Sequence, residues 1–116
     1  MKYEILQINL TATMVKEVNK LGHIEAKKAF PAYSAHLECS CFGSARFTPD
    51  MLKHYGVVAT VDASDLEEVF EVGNGYGDQS KITVKGSMHS LSVGDIVRND
   101  GNTWMCDSVG WTRLSI

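Results

Sequence analysis

Residues 89–114, HSLSVGDIVRNDGNTWMCDSVGWTRL, leave the chain the least freedom, because they read as one compact β unit. Ser92-Val93-Gly94-Asp95 is a turn, and Ile96-Val97 starts a strand. Asn99-Asp100-Gly101-Asn102 reads as a hairpin loop, whose Asp-Gly pair tolerates the positive φ that tight hairpins require. Thr103 to Val109 is expected to return as the partner strand. Gly110 would break or bulge it, and Trp111 to Leu114 would finish it.

The rest of the chain supplies elements for that unit to pack against. Tyr3 to Leu10 alternates as a first strand, with an irregularity expected at Leu6-Gln7. Thr11 or Thr13 can cap a helix carrying Met14, Val15, Val18 and Leu21, which Gly22 stops. His23 to Phe30 is a short helical segment ended by Pro31. Leu37 to Phe42 alternates again, so Leu37, Cys39 and Cys41 are expected on one face of a strand. Thr48 and Pro49 open a short helix to Tyr55, and Val57 to Val61 is a buried strand. Ser64-Asp65-Leu66-Glu67 has the form of a capping box, opening a helix with Leu66, Val69 and Phe70 on one face and Gly73 at its end. Asn74 to Ser80 is a loop, and Lys81 to Val84 a short strand. The expected fold is a single α+β domain over residues 1–116: a small, mostly antiparallel sheet with two or three helices on one face.

From residue 57 onward the motifs follow one another in a recognisable order: Val57-Val58-Ala59-Thr60-Val61, then Asp65-Leu66-Glu67-Glu68-Val69-Phe70 with Asn74 following. Ser90-Leu91-Ser92-Val93-Gly94-Asp95-Ile96-Val97 and Cys106-Asp107-Ser108-Val109-Gly110-Trp111 complete the series. This half resembles the YodL-like family, small proteins common in phages and conjugative elements and described without a biochemical activity. Relatives commonly carry Phe where this chain has Trp111. The resemblance implies no catalytic residue. Residues 1–56 fall outside it and form a variable N-terminal half.

Charge narrows the possible partners. The net charge is −3, and residues 62–78 hold six acidic side chains and no basic one. A surface that displaces counterions from nucleic acid is basic, so direct nucleic-acid binding is not expected. No apolar run approaches a membrane span. Met1-Lys2-Tyr3-Glu4 lacks a leader pattern, and with three cysteines the expected compartment is the reducing cytoplasm of a bacterial host.

Chemistry-bearing residues are sparse. His36, Cys39 and Cys41 come nearest to a metal site, but zinc wants about four ligands and the second pair is missing. Neither a metal nor a cofactor is expected. Cys106 would need a base such as His89 to serve as a nucleophile, and packing is the plainer role. Gly73, Gly75 and Gly77 lack the GK[ST] that a phosphate loop requires.

The favoured reading is therefore a non-enzymatic accessory protein of a phage or mobile element. It would bind a host protein, for instance as an inhibitor of a defence or metabolic factor. Trp111, Arg113, Arg98 and Trp104 are the candidate binding residues, since Trp and Arg dominate binding hot spots. A small-ligand binder that sequesters a nucleotide-like molecule would use the same four. A minimal metal-dependent hydrolase would instead use Asp95, Asp107 and His89. The sequence leaves homo-oligomerisation open.

Overall fold

A computed structural model describes residues 1–116. Six strands form one antiparallel sheet in the order β3-β2-β1-β4-β5-β6. They are β1 (Lys2–Gln7), β2 (Gly56–Asp62), β3 (Ile82–Val84), β4 (Ile96–Asn99), β5 (Asn102–Cys106) and β6 (Trp111–Leu114). The helices are α1 (Ala12–Leu21), α2 (His23–Ala29), α3 (Pro31–Phe42) and α4 (Leu66–Gly73), with 3₁₀ turns at Gly43–Arg46, Pro49–His54 and Gln79–Lys81. The chain thus adopts the expected small α+β fold.

The sheet is buried on both faces, and strand parity divides the core in two. Tyr3, Ile5, Val61 and Val97 point to one face, where Val69 and Val72 of α4 and Leu91 cover them. Leu6, Ile96 and Met105 point to the other and meet Cys39 of α3, with Phe47, Met51 and Tyr55 around them. The pairing of β1 with β2 shifts register between Ile5 and Leu6, one residue before the expected irregularity, leaving Val58 unpaired. This bulge lets consecutive Val58 and Ala59 enter the α4-side cluster while Val57 packs on the opposite side. Helix α2 packs on α3 and α1 on α2, so three helices gather on one side of the sheet and α4 takes the other.

Helix starts follow local chemistry. Thr11 caps α1 by accepting from the Met14 amide at 3.1 Å. Pro31 ends α2 and also opens α3, because a missing N–H costs nothing at the first helical position. For that reason residues 37–42 are helical and not the expected strand. Six alternating residues are too few to outweigh a proline-opened run containing Ala32, Ala35, Leu37 and Glu38. Cys39 is consequently buried, while Cys41 is exposed.

The cap of α4 is Asp65 and not Ser64. Asp65 accepts from the Glu68 amide at 2.9 Å, and the Glu68 carboxylate accepts from the Ser64 amide at 2.8 Å. Ser64 and Asp65 are both good caps with Glu three residues on, so the sequence fits two frames. The observed frame buries Val69 and Val72, leaving Phe70 at the edge.

The C-terminal unit holds one more strand than its sequence suggests. Asp100 (φ 46°) and Gly101 (φ 81°) make the two-residue turn that joins β4 to β5. Residues 103–114 are not one bulged strand. The Asp107 amide donates to the Gly110 carbonyl at 2.9 Å, the chain reverses, and β6 pairs back on β5 with Cys106 opposite Trp111. Gly94 fixes α3 against this unit: it has φ 95°, and a Cβ there would lie 2.8 Å from the Cys39 carbonyl carbon and oxygen. Only glycine fits that contact.

Candidate functional site

The C-terminal hairpins and α4 enclose a groove of about 660 Å³ on the α4 side of the sheet. Its position follows from the two preceding choices of frame. Asp65 capping α4 turns Phe70 toward the sheet edge, and the turn after Cys106 places Trp111 on the same side. The two rings meet edge to face, with centroids 6.4 Å apart and planes at 85°. Phe70 remains 40% exposed, Trp111 is half-buried, and Val109 at the tip of the turn is 90% exposed. Leu91 supplies the inner wall, and Glu67 and Glu71 supply carboxylates.

Among the candidate binding residues, Trp111, Trp104 and Arg113 share this face, as their pairing across β5 and β6 requires. Trp104 packs on Tyr3, with ring centroids 6.5 Å apart, and lies half-buried against the α4-side cluster, outside the groove. Arg113 donates to the Asn102 side chain. Arg98 lies on the opposite face. It is paired with Glu4 across β1–β4 and bonded to it at 3.0 Å. The four residues therefore do not form one patch; only Trp111 enters the groove.

Asp95, His89 and Asp107 are likewise divided. Asp95 is buried at the end of β4, where Gln7, itself without exposed surface, donates to it at 3.1 Å and the Ser92 amide donates at 2.9 Å. The Gln7 amide also donates to the His89 carbonyl at 2.9 Å, and its oxygen accepts from the His89 amide. His89 Nδ1 stands 3.8 Å from the Asp95 carboxylate. Burial pushes the Asp95 carboxyl up to about 6, against the pull of the Ser92 amide, His89 and Gln7. The Gln7 network pins residues 89–95 over the end of the sheet.

Asp107 belongs to a separate network. It accepts from the Ser44 amide at 2.9 Å, the Ser44 hydroxyl at 2.7 Å and the Thr112 hydroxyl. Burial pushes its carboxyl up, but the Thr112 and Ser44 donors outweigh that and hold it below its usual range. No hydrogen bond joins Asp107 to Asp95 or His89, so the three do not converge as an acid–base set.

The cysteines are placed for packing. Burial, with Asp95 and Asp107 adding negative potential, raises the Cys106 thiol to about 11, far from a ready thiolate. Cys39 lies 3.8 Å from the Met51 sulfur, in the second core cluster. His36 sits near His89, and burial followed by that neighbour's charge lowers its pKa.

Two features went unrecognised in the sequence. Gln7 reads as the polar member of an alternating strand, and its partners lie 82 and 88 residues away. Phe70 reads as core, and its pairing with Trp111 depends on the reversal at Asp107–Gly110. No protein-family model, curated protein or solved structure matches the chain.

Proposed function

We propose that this protein is a non-enzymatic accessory factor that binds another protein through the groove between α4 and the β5–β6 turn. The observation that carries the proposal is the pairing of a half-buried Trp111 with a partly exposed Phe70 beside an exposed Val109. An aromatic anchor in a partly desolvated cleft is the setting in which a few residues supply most of a binding energy. The resemblance of residues 57–116 to the YodL-like family supports a bacterial host protein as the target and a phage or mobile element as the source.

Affinity capture from bacterial lysate tests this reading. A defined host protein should be retained by the wild type and lost with Trp111→Ala, while circular dichroism shows both proteins folded. Equal retention by both, or no specific retention by the wild type, would overturn it.

A further inference from the structure

We infer that the groove takes a basic amphipathic segment of the partner. One large apolar side chain would enter beside Phe70 and Trp111, while flanking Lys or Arg residues meet Glu67 and Glu71; the inference rests on the docking reading above. Glu67 and Glu71 are four residues apart on α4, both exposed, and neither takes part in an ion pair. Like charges at that spacing repel, and an arriving cation relieves the repulsion. No Lys or Arg lines the groove, and Glu68, the one carboxylate of α4 with a cationic partner, is bonded to Lys81 at 2.8 Å.

Charge complementarity therefore selects the occupant. An acidic segment would be repelled, and a nucleotide-like anion would meet two carboxylates with no cation to answer its phosphates. A basic segment gains both the apolar contact and the field of the unpaired Glu67 and Glu71. Val109, between the groove-lining Ser108 and Gly110, is 90% exposed, which suits a polypeptide longer than one side chain.

The test is selection of 12-residue peptides from a random display library on the wild-type protein. Peptides that also bind Trp111→Ala are then removed, with Phe70→Ala as a second groove variant should Trp111→Ala fail to fold. Enriched peptides should carry net positive charge around one Trp, Phe, Leu or Met. A synthetic copy should bind about three- to tenfold more weakly to the Glu67→Gln/Glu71→Gln variant and lose affinity as salt rises. Groove-dependent peptides that are neutral or acidic would overturn this inference and leave the docking reading standing. Failure to enrich any groove-dependent peptide would overturn both. A second copy is the remaining occupant, since α1 carries exposed Val15 and Leu21 beside Lys16 and Lys20. Concentration-dependent self-association of the protein alone, abolished by Trp111→Ala, would assign the groove to that copy and overturn the inference.

Discussion

Replacing Asp95 by Asn should stabilise the protein at neutral and alkaline pH. Asp95 accepts both of its hydrogen bonds, from Gln7 and the Ser92 amide, through the same oxygen, so an Asn oxygen in that position preserves them. What changes is the charge. Burial holds the Asp95 carboxyl up at about 6, against an ordinary value of 3.8. The folded state therefore binds this proton more tightly than the unfolded chain. Stability gained by protonation is fully present below pH 3.8 and is lost as pH rises through about 6. At ~1.4 kcal/mol per pKa unit, keeping Asp95 ionised costs the fold about 2–3 kcal/mol at pH 8. Asp95→Asn should recover about 1–3 kcal/mol there, and the gain should shrink to about a third of that at pH 4.5.

His89, Tyr55 and Cys106 are the titratable groups facing Asp95, with His36 next to His89. The lowered pKa of His36 acts in the opposite sense, destabilising the fold as pH falls through 6.5. The difference between wild type and variant cancels that contribution. Urea unfolding followed by tryptophan fluorescence at pH 4.5, 6 and 8 reads the difference directly. A variant destabilised at pH 8 would refute the reasoning, because it would mean that the Asp95 charge holds the Gln7 network together.

Three further substitutions probe how the groove is built. Asp65→Ala should cost about 1 kcal/mol by removing the cap of α4, and Ser64→Ala clearly less; equal losses in thermal melts would put the helix start at Ser64. Gly94→Ala should cost about 3 kcal/mol or more, since the methyl would meet the Cys39 backbone; a melting point within a degree of wild type would contradict that contact. Trp111→Ala should cost about 1.5–2.5 kcal/mol, between a surface change and a full core truncation, because the ring is half-buried against Phe70 and the α4-side cluster. A loss near 4 kcal/mol in urea unfolding would make Trp111 a core residue and remove it from the binding surface.

Features set by a few neighbouring residues were legible in the sequence. The Asp100-Gly101 turn, the Thr11 cap and Pro31 at a helix boundary each depend on short-range geometry and occur where expected. Features that compare two local solutions were not. Residues 37–42 alternate well enough for a strand, and only the proline-opened run around them makes them helical. Gly110 fits a bulge as well as a reversal, and the backbone bond between Asp107 and Gly110 decides for the reversal. That choice puts Trp111 and Leu114 on opposite faces of a new edge strand. The face of Arg98 followed from its pairing with Glu4, a residue 94 positions away that nothing local indicates.

The most direct test of the account is the dissociation constant of the captured partner, measured by calorimetry for wild type, Trp111→Ala and Arg98→Ala. Trp111→Ala should weaken binding by about 30-fold or more, the scale of a hot-spot residue, while Arg98→Ala on the opposite face should leave it within about twofold. Binding that survives Trp111→Ala and fails with Arg98→Ala would place the partner on the other side of the sheet and contradict the account.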